Sequence, residues 1–207
     1  MIDLQTLFVF FPAALLLALA PGPDNLFVLA ESAQHGRPAG LAVTVGLCTG
    51  LIGHTLAVAF GLAAIVKASA LAFTMLKMAG AIYLLYLAWQ AWRAGGEIGD
   101  SQAPELSGSE LYRRGIVMNL TNPKVSIFFL AFLPQFADPR RGSMAVQFLE
   151  LGLLFMLATL IVFGALSLVA GGLGERFRRS PVALRVVNRA AAAIFAGLAI
   201  KLAITER

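Results

Sequence analysis

Two charged residues of this 207-residue chain stand where a charge needs a reason. Asp24 follows two prolines in Ala20-Pro21-Gly22-Pro23-Asp24-Asn25, and Lys124 follows one in Asn119-Leu120-Thr121-Asn122-Pro123-Lys124; each run interrupts a long apolar stretch. A carboxylate or ammonium at the centre of a bilayer costs about 2.5 to 3.5 kcal/mol on insertion scales, so each needs a partner, water or a use. The prolines remove backbone donors and clash with the preceding turn, and Gly22 adds freedom between Pro21 and Pro23. A helix must break at each run, and Asn122 and Thr121 are available to cap the one that restarts at Pro123. Asp24 then sits at the positive end of a restarting helix. Lys124 in the same setting opposes the helix dipole, so local stability does not explain it. Free amides near Pro123 together with the Lys124 ammonium would suit an anion, either a substrate carboxylate or Asp24 itself.

Two readings follow. A permanent Asp24–Lys124 ion pair would hold two segments together. A pair that opens for a zwitterion, ammonium to Asp24 and carboxylate to Lys124, would make a transport site, with Asn25, Thr121 and Asn122 beside it. One proline break alone reads as a kink; two at corresponding positions favour the site, because irregular backbone at membrane depth is tolerated where protein or a water-filled cavity satisfies it. Other polar residues carry weaker signals. Glu31 follows Asp24 by seven positions, two helical turns on the same face, and would either relay protons or snorkel near a helix end. His54 would act as a relay or gate, or bond a neighbouring carbonyl. Gln135 would line the outer part of the fourth span, and Glu150 would be interfacial or line the path. Gly46, Gly50 and Gly53 suit close helix packing.

The elements that position these residues follow from composition. Hydrophobic residues make up 59% of the chain and charged ones 13%, against about half and about a quarter in soluble domains. Apolar stretches run from Leu7 to Ala33, Gly40 to Val66, Ala70 to Trp92, Gly115 to Phe136, Val146 to Leu173 and Val182 to Ala203. These are six candidate membrane helices, and the whole chain forms one membrane domain. The first is kept as a helix, since Met1 to Thr6 has Asp3 and no Lys or Arg. Arg93 to Tyr112, rich in Gly, Ser and Pro with several acidic residues, reads as a solvated linker (93–112) between halves 1–92 and 113–207. With six crossings, one face carries Arg37, Arg93, Arg113, Arg114, Arg176, Arg178, Arg179, Arg185 and Arg189; the other has Lys67, Lys77, Arg140, Arg141, Lys201 and Arg207. The positive-inside rule then puts the linker in the cytoplasm and both termini in the periplasm.

The halves also resemble each other. Pro23-Asp24 falls on Pro123-Lys124 at an offset of 100, and Lys77 to Tyr83 falls on Arg189 to Phe195 at an offset of 112. Three crossings is an odd number, so a second copy enters from the opposite face. The expected fold is all-α, six transmembrane helices as two inverted three-helix repeats with the first and fourth helices broken.

Pro21-Gly22-Pro23-Asp24-Asn25, Tyr83 to Trp89, Asn119 to Lys124 with Phe128 to Phe136, and Asn188-Arg189 together resemble the lysine-exporter-type (LysE/RhtB) amino-acid exporters. The resemblance covers nearly the whole chain. It implies a bacterial inner-membrane protein that exports amino acids or their derivatives, driven by protons, with break motifs at Pro21, Gly22, Pro23, Asp24, Asn122, Pro123 and Lys124. It does not specify the substrate. Ala192 departs from the glycine such proteins often carry there.

Other classes fit less well. A metal-ion exporter needs several Asp, Glu or His residues converging inside the membrane, and a thiol-disulfide carrier needs two cysteines where Cys48 stands alone. A membrane scaffold would bind no small solute. With no GxxxxGK and no HExxH, neither an enzyme, a cofactor nor a resident metal is expected. The net charge of +5 reads as loop topology and not as a nucleic-acid surface. The expected partners are a small amino-acid-type solute, protons and the lipid bilayer.

Overall fold

The computed structural model describes residues 2–20, 22–62, 70–93, 106–170 and 181–204, and all regular structure among them is helical. Helix α1 (Leu4–Leu19) opens at Asp3, whose carboxylate accepts the Thr6 amide at 2.8 Å. Helix α2 (Pro23–His35) starts after Gly22 and stops at Gly36. Gly36 has φ 85°, a left-handed value suited to glycine, and turns the chain into α3 (Arg37–Leu56). A π-helical stretch, Ala57–Leu62, extends α3. Helix α4 (Ala70–Arg93) closes the first half.

In the second half, α5 (Gly108–Thr121) begins with a capping box. Ser107 Oγ accepts the Glu110 amide, while the Glu110 carboxylate accepts the Ser107 amide at 2.8 Å. The expected linker is therefore shortened: residues 108–112 are helical because Ser107 and Glu110 cap them, and 94–105 lie outside the described residues. Helix α6 (Pro123–Ile127) continues through π-helical Phe128–Phe132 and 3₁₀-helical Leu133–Phe136. A 3₁₀ turn, Pro139–Arg141, leads to α7 (Met144–Val169), and α8 (Pro181–Ile204) follows.

Two continuous helices are long and apolar enough to cross a membrane, Arg37–Gly61 and Met144–Val169. Two bent pairs also qualify when each is taken together: α1 with α2, meeting at 60°, and α5 with Pro123–Phe136, meeting at 49°. Helices α4 and α8 have 24 residues each. That is about 36 Å of helix, more than the ~30 Å hydrocarbon layer. Large apolar side chains such as Phe8, Ile82, Leu153 and Val186 point outward, as a lipid-facing surface requires. The molecule is an all-α membrane protein.

Small residues set the closest crossings. A Cβ on Gly46 would run into the Tyr112 carbonyl and lie 3.1 Å from Gly115 Cα, and one on Gly53 would lie 2.9 Å from Leu120 Cδ2, so α3 and α5 touch nearly backbone to backbone. Helix α4 lies along α8, and α3 also packs on α7. The core divides in two. One cluster gathers Phe10, Leu17, Phe128, Phe129, Phe132 and Phe155 around the π-helical stretch, with Phe128 and Phe155 ring centroids 5.2 Å apart. The other joins Val28, Val43, Leu47, Leu111 and Phe163. Leu17 and Val28 lie in different clusters, and Asp24 falls between them in the chain.

Candidate functional site

A helix leaves its last four carbonyls without partners inside the helix. At the end of α1 all four meet side-chain donors from beyond the break. Asn25 Nδ2 donates to Ala18 O at 2.7 Å and Leu19 O at 3.5 Å. Lys124 Nζ, from the other half of the chain, donates to Ala20 O at 3.0 Å and Leu17 O at 3.5 Å, with Asn25 Oδ1 also 3.5 Å away. A cation there faces the negative end of α1, which is the favourable side of a helix dipole. The objection to Lys124 at the start of α6 is met by the end of α1. Gly22 makes the approach possible, because a Cβ there would lie 2.9 Å from Lys124 Nζ.

Asn122 connects the two charges. Its Oδ1 caps α6 by accepting the Lys124 amide at 3.0 Å, and its Nδ2 donates to Asp24 Oδ2 at 2.7 Å. Asp24 and Lys124 are both buried, yet no ion pair joins them; the side-chain amide stands between. The amides expected to be free at Pro123 are also in use: the Val125 and Ser126 N–H groups donate to the Asn122 carbonyl at 3.1 and 3.0 Å. Only Asn122 serves as the cap. Thr121 is exposed and its hydroxyl donates back to Val117 O at 2.8 Å, the usual recourse of a helical threonine.

Asp24 Oδ1 remains buried without a hydrogen-bond partner, and so does Asn119 Oδ1. Both residues line a small cavity with Lys124 and Thr159, walled by Leu17, Val125, Phe155 and Phe163. About 10 Å³ is open there to the centre of a water molecule, enough for about one water. Asn119 and Thr159 line this cavity, and the sequence did not single them out. Asn119 stands in a quoted motif, but a lone Thr159 in an apolar helix gives no signal.

The remaining candidates fall elsewhere. His54 is half-buried; its Nε2 lies 3.1 Å from Asn119 O, so that nitrogen donates, and its ring packs on Phe129 at 5.6 Å. Glu31 is buried and paired with His35 Nδ1 at 2.8 Å near the end of α2, about 10 Å along the helix from Asp24. Burial and the partner remove the snorkelling alternative. Glu150 accepts the Ile2 amide at 2.9 Å, tying α7 to the start of the chain described here. Gln135 lines a separate cavity of about 310 Å³ near Asp3, Asp138 and Arg141. Pro21 lies outside the described residues. Pro23 and Pro123 each occupy the first turn of a restarting helix.

A family model described as LysE type translocator matches residues 15–206. An "Uncharacterized membrane protein" of Vibrio cholerae serotype O1 is 35% identical over 202 residues, covering 97% of this chain and 98% of its own. A "Homoserine/homoserine lactone efflux protein" of Salmonella typhimurium is 34% identical over 189 residues, 91% of each chain. No solved structure matches significantly.

Proposed function

Because the chain belongs to the LysE type translocator family, a family of transporters and not enzymes, we propose that it exports amino acids or amino-acid derivatives across the bacterial inner membrane. It works as a secondary transporter, by proton antiport, through a midplane site between two broken spans. The observation that carries this reading is Asp24: a buried carboxylate, one oxygen held by Asn122 and the other without a donor, between two helix bends. A carboxylate so placed holds a proton in one half of the cycle and a substrate ammonium in the other. The relatives named for homoserine and homoserine lactone efflux support this assignment, since those two solutes share an α-amino group.

In this reading α1 with α2, and α5 with α6 and its extension, are each one broken span. The chain crosses six times as two inverted repeats, 1–92 and 113–207. The packing supports the repeat: α3 lies on α5 and α7 on α1 and α2, while α3 pairs with α7 and α4 with α8. Exchanging the halves maps α3 on α5 to α7 on α1 and leaves the α3–α7 and α4–α8 pairs in place, whereas the packing of α2 on α3 and α7 has no equal counterpart. The cation count supports a cytoplasmic linker and periplasmic termini. Asn25 and Asn122 hold the breaks open, Lys124 faces the substrate carboxylate, and Glu31 and His54 pass protons to and from Asp24. Thr121, Gln135 and Glu150 take no direct part.

With Asp24→Asn, amino-acid export from loaded membrane vesicles should lose its response to an imposed pH gradient. Undiminished gradient-driven export by that variant would remove Asp24 from the coupling mechanism.

A further inference from the structure

We propose that the cavity beside Asp24 is an ammonium pocket that takes the primary –NH₃⁺ head of the exported solute and counts the substituents on that nitrogen, with Asn119 as second acceptor and Thr159 in its lining. The inference rests on the export reading above and goes beyond it in naming two further residues that recognise the ammonium, Asn119 and Thr159, and in predicting selectivity by the number of substituents on the nitrogen.

Buried polar atoms in native proteins nearly always have partners, so orphans ask for an explanation. Among the described residues two buried side-chain atoms are without partners, Asp24 Oδ1 and Asn119 Oδ1, and both residues line this one cavity. Both atoms are acceptors, so the missing partner is a donor. The ammonium nearest in the protein does not fill that role: Lys124 Nζ donates to Ala20 O and Leu17 O and has Asn25 Oδ1 beside it. The space, room for about one water, matches an ammonium head and excludes one enlarged by methyl groups. The carbon skeleton beyond the nitrogen then requires the Phe155 and Phe163 walls to part while the Asp24 and Asn119 side keeps its dimensions around the nitrogen. Each N-methyl group replaces a donor with bulk, and N-acetylation removes the charge that Asp24 attracts.

The test is counterflow in proteoliposomes holding the full chain, using a set of unmodified α-amino acids and their N-methyl, N,N-dimethyl and N-acetyl derivatives. Transport should fall at least about tenfold from the primary amine to the dimethyl form. Thr159→Val, which keeps shape, and Asn119→Leu should each raise the KM for the primary amine and narrow that ratio, with gel-filtration profiles unchanged. Because the Asn119 side chain is packed against α3 at Gly50 and its variant can fail to insert, Thr159→Val carries the test by itself. Equal transport of dimethylated and primary amines by the unaltered protein would overturn the inference while leaving the export reading intact. So would a ratio unaffected in well-folded Thr159→Val, or a strict sodium requirement with no discrimination among amines. Transport of no member of the set would overturn the export reading and this inference together.

Discussion

Lys124 has two tasks that pull its variants in different directions. Replacing it with methionine removes the donor from Ala20 O and Leu17 O. A buried acceptor left without a donor costs about 1 to 3 kcal/mol, so Lys124→Met should melt measurably lower in a detergent thermal-shift assay. If the ammonium also meets a substrate carboxylate, export of free acids should fall more than export of their lactones or esters. Equal loss for both would assign Lys124 to the end of α1 alone. The need for a reason behind Lys124 was legible from its neighbours; its partners were not. They depend on which helix end from the other half abuts it, and one-dimensional spacing does not carry that. The same holds for Asn122 and Thr121, two adjacent capping residues: only the final turn of α5 decides that Thr121 bonds backward while Asn122 faces α6.

At the scale of elements, the α3–α5 crossing depends on the absence of side chains at Gly46 and Gly115. Gly46→Ala should cost about 1 to 3 kcal/mol by forcing the helices apart, read as a lower unfolding midpoint. Gly197 in α8, with nothing within 4 Å of an added Cβ, is the control; alanine there should be neutral or stabilising by up to about 1 kcal/mol. The glycine face and both proline breaks could be read before any fold, because glycine and proline act through local backbone geometry. The early start of α5 at Gly108 was hidden by the Gly, Ser and acidic composition of its first turn, although Ser107 and Glu110 are the signature of a capping box. Asn119 is held in place by this same crossing, since a Cβ on Gly50 would lie 2.7 Å from its Cβ. Gly50→Ala should therefore displace the amide that lines the cavity and weaken export more than stability.

Over the whole molecule, charge ties the start of α1 to the turn before α7. Arg141 pairs with Asp3 at the start of α1 and with Asp138 at 3.6 Å, and Asp138 also accepts from Arg140. The hydrogen bond with Thr6, first through its side chain and then its amide, holds the Asp3 carboxyl down at about 2, with Arg141 adding to it. Hydrogen bonds from Arg140 hold Asp138 below the usual carboxylate range. A carboxyl lowered by folding stabilises the fold above its unfolded pKa, here 3.8, and that contribution is lost as pH falls toward 2. Acid titration from pH 5 to 2 should loosen this link, and Asp3→Asn should flatten that response in hydrogen exchange at the start of α1.

The clamp at the end of α1 also bears on how the protein is made. Ala20 O meets its donor from a residue 104 positions later. Helices α1 to α4 are made before that donor exists, and the break is completed only when α5 has been followed by Pro123 and Lys124. The first half made alone should therefore be less stable than it is within the full chain. A fragment ending between the halves should be degraded faster than the full chain, because Ala20 O lacks its Lys124 donor, and supplying the second half as a separate chain should rescue it.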